Sequence, residues 1–223
     1  MLHSVNAHKY RNDKNENDAD ISSLINKLTS IEDTKTSSII GTLSHLPADI
    51  FWEILRTAVK VDDKLPKTVS EIHEIDFWPS WRLNGDRVEP DTFVRFKEFD
   101  LILEMKVNDS NPQKTKQWKR ELGAYKEKYH EQRKVYLIAV SGMIGEQCTD
   151  VFQCSWTSLL DATLSVLERE ESKNRYSHIV RILNDAVMAF RIHHEHSYRY
   201  FSSIDYNPES YHINEYNNIF NQL

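Results

Sequence analysis

The chain has 223 residues, 39% of them hydrophobic, with 28 Lys and Arg against 34 Asp and Glu and a net charge of -6. That length supports one domain with a sizeable core plus extensions, and the acidic balance excludes a protein that coats nucleic acid by bulk electrostatics, because phosphate affinity comes from locally clustered Lys and Arg. No window reaches the ~18 uninterrupted apolar residues of a transmembrane helix, and no apolar run of signal-peptide length opens the chain, so the sequence reads as that of a cytoplasmic protein without a membrane partner. Cys148 and Cys154 lie six apart with no second pair to complete a zinc site, and read as reduced, packed thiols.

In chain order, residues 1–20 are polar and read as a loose tail. Apolar residues at 21, 24, 25 and 28 have the spacing of one helical face, and Ser37–Leu46 reads as a second short helix. Pro47 suits the first turn of a stronger helix over Ala48–Val61, whose buried stripe is Ile50, Phe51, Ile54, Leu55, Ala58 and Val59. Val69–Trp78 reads as a strand, Asn84-Gly85-Asp86 as a turn, and Val88–Phe96 with Phe99–Val107 as a hairpin. Lys114–Tyr129 has a helical pattern, and the apolar run 134–140 is that of a strand covered on both faces. Ser155–Leu167, with Ser155 as N-cap, and Tyr176–Phe190 complete the helices. The division expected is a polar tail with short helices over 1–44, a core over 45–165 and a helical extension over 166–223.

The hairpin carries the chemistry. A turn centred between Lys97 and Glu98 sets Phe93 opposite Ile102, Asp91 opposite Glu104 and Glu89 opposite Lys106, all on one face. Val94, Phe96, Phe99, Leu101, Leu103 and Met105 then make an apolar face on the other side. Two carboxylates facing each other across a ladder repel unless a cation lies between them. Mg²⁺ takes hard oxygen ligands and commonly binds through one or two carboxylates plus a substrate phosphate. Lys106, two residues beyond Glu104, brings an ammonium beside such a cation, where it can orient or help deprotonate a water and offset phosphate charge.

Pro90-Asp91 followed after twelve residues by Glu104-Met105-Lys106 resembles the motif of the PD-(D/E)XK nuclease superfamily, over roughly residues 45–160. The resemblance implies an α/β fold of the restriction-endonuclease-like kind, a mixed β-sheet flanked by α-helices, here with helical N- and C-terminal extensions. It implies a Mg²⁺- or Mn²⁺-dependent deoxyribonuclease with Asp91 and Glu104 as metal ligands and Lys106 as the catalytic cation. Many members carry a Glu in the helix before the first strand, and Glu53 is the matching candidate. Exonuclease-type members often have Gln-Leu-x-x-Tyr in the helix after the Lys strand; this chain has Glu121-Leu122-Gly123-Ala124-Tyr125, with Gln117 one turn earlier. By analogy the chain is expected to be the nuclease component of a restriction or other defence system, acting with a partner protein or as a homodimer.

Between Lys106 and Lys134 nine basic residues stand against four acidic ones, making this the basic part of an acidic protein. Lys114, Lys116, Gln117, Lys119, Arg120 and Tyr125 are therefore the expected DNA contacts. A second reading stays open, a catalytically inactive nuclease-like module that binds nucleic acid or a protein partner through this basic helix. Trp78, Trp81 and Trp118 read as packing before they read as base-stacking platforms. The run His193-His194-Glu195-His196 reads as a polar helix end, since consecutive helical residues cannot converge on one ion. Ser141-Gly142-Met143-Ile144-Gly145 lacks the Lys and spacing of a phosphate loop and reads as the exit from a strand.

Overall fold

The computed structural model describes residues 31–60, 64–130, 133–145 and 148–197. The expected tail over 1–20, the helix over 21–28 and the segment from Tyr198 lie outside the described residues. Along the chain run helices α1 (Glu32–Leu43) and α2 (Ala48–Val59), strands β1 (Ile72–Phe77), β2 (Trp81–Leu83), β3 (Asp86–Val88), β4 (Thr92–Phe96) and β5 (Asp100–Met105), helix α3 (Thr115–Tyr129), strands β6 (Val135–Val140) and β7 (Val151–Cys154), and helices α4 (Trp156–Asn174) and α5 (His178–Ile192).

The nearly continuous apolar runs of β5 and β6 are buried at every position, as strands covered on both faces must be. They sit at the centre of a five-stranded sheet of order β1-β4-β5-β6-β7. The β1–β4 and β4–β5 pairs are antiparallel, and β5–β6 and β6–β7 are parallel. The fold is thus α/β with a mixed sheet flanked by helices. Phe93 pairs with Ile102 and Val94 with Leu101, the register expected from the hairpin, and the Phe96 N–H donates to the Phe99 carbonyl across the turn at 2.9 Å.

Period-2 alternation divides the core between two layers. One face of the sheet, with Val94, Phe96, Leu101, Leu103, Met105, Ile138 and Val140, packs against α1, α2, α4 and α5. The other, with Phe93, Ile102, Leu137 and Ala139, packs against Trp118, Ala124 and Tyr125 of α3 and against Trp81 and Val88 of the small β2–β3 hairpin. Trp52 of α2 lies 4.8 Å from Phe99 and 5.7 Å from Phe96, ring centre to ring centre, and its Nε1 donates to the Pro66 carbonyl. Burying aromatic side chains of this size contributes about 1.5–3 kcal/mol each.

Several boundaries differ from the sequence reading. The strand expected over 88–96 is split, because Pro90 interrupts the ladder; β3 pairs with β2 across Asn84-Gly85, and β4 begins at Thr92. The facing pair Glu89 and Lys106 does not form, and Glu89 is ion-paired with Arg87 instead. Strand β7 was too short to read. Helix α4, capped by the Ser155 side chain accepting from the Ser158 N–H, runs unbroken through 165–166, where a boundary was expected, and its residues share one core with the sheet. Trp78, Trp81 and Trp118 are all buried, so none is a surface for stacking bases. Cys154 is buried and free, and burial pushes its thiol up to about 12. No described helix is long and apolar enough to cross a membrane.

A candidate metal centre beside a basic groove

Three carboxylates from three separate segments converge at the C-terminal end of β5. Glu32 comes from the first turn of α1, Asp91 from the link before β4 and Glu104 from β5, and one ligand oxygen of each lies within 4.8 Å of the others. Asp91 and Glu104 are 7% and 2% exposed. Glu32 is the residue the sequence reading missed. Its only local signal is the acidic pair Glu32-Asp33 in a helix's first turn, which the helix dipole explains without a site.

The backbone from residue 105 to 107 fixes these groups, and each of its polar atoms has a partner. The Met105 N–H donates to Asp91 Oδ2 at 2.7 Å, and the Met105 carbonyl accepts from Lys106 Nζ at 2.9 Å. The Lys106 N–H continues the ladder to the Val140 carbonyl at 2.9 Å, and the Lys106 carbonyl accepts from Trp156 Nε1 at 2.8 Å. The Val107 N–H donates to Glu32 Oε2 at 3.2 Å, and its carbonyl accepts from Lys35 Nζ at 2.8 Å. Asp91 is anchored through one oxygen, Oδ2, and a carboxylate can accept through both.

Lys106 Nζ donates to Glu104 Oε1 at 2.6 Å and lies 3.5 Å from Glu32 Oε1. Gln117 Nε2 donates to the same Glu104 oxygen at 2.6 Å. Buried Gln113 holds the strand from behind: its Nε2 donates to the carbonyls of Glu104 and Ser141, and its Oε1 accepts from Trp118 Nε1. The loop that carries Gln113 is pinned by Asp109, which accepts from Ser141 Oγ and the Gly142 N–H, and by the Gln113 N–H donating to the Gly142 carbonyl at 2.7 Å. Gly142 has φ +58, and a Cβ there would stand 2.1 Å from the Asn111 carbonyl oxygen.

The electrostatics are those of too many carboxylates for one lysine. Burial, then Glu104 and Glu32, hold the Asp91 carboxyl well above the usual range. Burial, then the charge of Glu121, does the same to Glu104. Glu121, 1% exposed and against Glu104 and Gln117, is pushed up to about 7 mainly by burial. Burial disfavours the charged form of Lys106, but Glu104, Glu32 and Asp91 outweigh it and raise the ammonium above the lysine range. A divalent cation relieves this crowding. The donors are all carboxylate oxygens, with no sulfur or imidazole among the clustered residues, which fits Mg²⁺ or Mn²⁺.

Beside the site, a groove of about 440 Å³ runs between the β2–β3 hairpin and α3, lined by Arg87, Val88, Glu89, Lys114, Lys116, Gln117, Arg120 and Glu121. Gln117 and Glu121 belong to both groove and site. Of the expected DNA contacts, Lys114, Lys116, Gln117 and Arg120 line the groove; Lys119 is exposed on α3 but not among its lining residues. Arg87, on the opposite wall, was not anticipated. Tyr125 is placed elsewhere: it is buried among Trp81, Phe93 and Tyr129, and its hydroxyl donates to Asp100 Oδ2 at 2.6 Å. Glu53 is also not brought to the cluster, because its carboxylate faces α4 and takes Arg169 Nη2 at 2.9 Å. Comparison of the chain with protein-family models, with curated proteins and with solved structures finds no match.

Proposed function

We propose that the chain is a Mg²⁺- or Mn²⁺-dependent phosphodiesterase that cleaves DNA in the cytoplasm, a nuclease of the PD-(D/E)XK kind. The observation that supports this reading best is the convergence of Glu32, Asp91 and Glu104 beside Lys106, next to a groove with four basic side chains. A divalent cation, when bound there, would supply Lewis-acid polarisation of the phosphate and activation of a water. Glu32, Asp91 and Glu104 are the residues that would hold it. Lys106, kept firmly in its charged form, donates hydrogen bonds and offsets negative charge on the scissile phosphate. Gln117 orients Glu104 through the oxygen that Lys106 also uses. Arg87, Lys114, Lys116 and Arg120 take flanking phosphates and so fix the register of the strand, without reading its bases.

In a restriction or other defence setting, recognition would come from a partner protein, and paired cuts in duplex DNA would call for a second copy. The test is calorimetric Mn²⁺ titration of wild type and Asp91→Asn, run beside cleavage assays on single-stranded DNA, duplex DNA and RNA with and without EDTA. EDTA-sensitive cleavage of DNA that is lost in Asp91→Asn and Lys106→Met is the expected result. Cleavage retained in either variant overturns it. Binding of DNA that is indifferent to Lys106→Met, with no cleavage in wild type, would instead establish a non-catalytic binding module using the same groove.

A further inference from the structure

One buried cation plays no part in the chemistry above. Lys35 is 3% exposed and lies one turn after Glu32 on α1. Its Nζ donates to the Val107 carbonyl and to the Glu195 carboxylate, and stands 4.6 Å from the centre of the Trp156 ring. Trp156 in turn donates to the Lys106 carbonyl. Residue 107 is therefore held on both sides by one helix face, with Glu32 taking its N–H and Lys35 its C=O.

We infer that Lys35 is a positioning residue for the metal centre: with Glu195 as its counter-ion, it grips Val107 and docks α1 so that Glu32 reaches the Asp91–Glu104 pair. The inference rests on the metal-site reading above. Stability alone does not account for this ion pair, because apolar side chains of similar volume at such buried positions are commonly as stabilising or more so. What the apolar replacement lacks is register. Glu32 and Lys35, three apart, share a helix face, and a slip of one residue turns α1 by about 100° and takes both from Val107. Burial holds the Lys35 ammonium below the usual lysine range, and its hydrogen bond to Glu195 works against that shift.

Groups that orient metal ligands from behind typically change metal affinity by about 10- to 100-fold when removed. The experiment is Mn²⁺ calorimetry on the full chain as wild type, Asp91→Asn, Lys35→Met, Lys35→Arg, Glu195→Ala and, as a control for loosening of the same helix, Ile40→Val. Lys35→Met and Glu195→Ala are expected to weaken Mn²⁺ binding about tenfold, Lys35→Arg to recover most of that loss, and Ile40→Val to bind as wild type does. DNA affinity measured in EDTA should be the same in wild type, Lys35→Met, Lys35→Arg, Glu195→Ala and Ile40→Val. Glu195 is 18% exposed on its side chain, so Glu195→Ala keeps the test alive if Lys35→Met fails to fold. Wild-type Mn²⁺ affinity in Glu195→Ala, while Asp91→Asn has lost binding, overturns this inference alone. An equal loss in Ile40→Val also overturns it, by reducing the effect to general loosening, and a wild-type chain that binds no Mn²⁺ overturns the metal-site reading with it.

Discussion

Strand β5 carries a buried acidic residue near each end, on the same face and about 13 Å apart along the strand. At the start, Asp100 is fully buried and surrounded by donors: Arg95 through Nε and Nη2, Arg133 through Nε, and the Tyr125 hydroxyl. Towards the end, Glu104 is just as buried but meets Asp91, Glu32 and Glu121 with a single lysine and a glutamine amide among them. The first is an anion whose neighbours neutralise it, and it ties β4, β5, α3 and the loop before β6 together. The second has more carboxyl groups than cations to pair them, so each raises the others' affinity for protons. Burial alone therefore does not single out a candidate site; the balance of charge around the carboxylate does.

The largest effect expected from breaking this contrast is at the crowded end. Glu104→Gln or Asp91→Asn should lower Mg²⁺-dependent cleavage by about 10³-fold or more, the scale of removing an interaction worth several kcal/mol in the transition state. The same Asp91→Asn should raise the melting temperature in EDTA, because it relieves repulsion while its amide oxygen still accepts from Met105. Asp100→Asn should do the reverse, lowering stability in denaturant unfolding by removing the counter-charge that half-buried Arg95 and Arg133 share, with Mn²⁺ affinity intact.

Next comes pH. Glu121 titrates near 7 in the folded protein against an ordinary 4.5, so the folded state binds its proton more tightly than the unfolded one. That contribution to stability is present below 4.5 and is lost as pH rises to 7, by an amount on the order of 3 kcal/mol. In EDTA, unfolding free energy should fall over this window in wild type and fall less in Glu121→Gln. Mn²⁺ affinity should rise over the same window, since ligation displaces protons. The smallest effect concerns the groove. Lys116→Ala and Arg87→Ala should each weaken DNA binding severalfold and reduce the salt slope by about 1, and Lys119→Ala should do measurably less.

What the sequence disclosed follows the same division between local and distant causes. The face shared by Phe93, Ile102 and Glu104, and the opposite apolar face, follow from period-2 alternation and one turn, so both were legible. The order of the longer elements was legible from periodicity, but the short strands β2, β3 and β7, of three, three and four residues, were not. Asp91 reaches Glu104 by a different route than expected, since its carboxylate bonds to the Met105 backbone beyond the end of the β4–β5 ladder. Glu32 was invisible because its place depends on contacts with residue 107, 75 positions away. Glu53 was a candidate only by lying in the helix before the first strand, and its carboxylate turns to Arg169 because of how α2 meets α4. Tyr125 was misplaced because one helix face serves both ends of β5: Gln117 and Glu121 reach one carboxylate, Tyr125 the other.

Gly142 shows how far the tolerance of a sequence can differ from its chemistry. It bears no functional group, yet any side chain there collides with the Asn111 carbonyl and must adopt a positive φ as well. The displaced loop would pull Gln113 from the Glu104 carbonyl and Trp118 from its partner. In a library of random substitutions selected for activity, position 142 should be as intolerant as 91 or 104. A map of intolerance alone would then enrol a residue without a side chain among the carboxylates proposed to hold the metal.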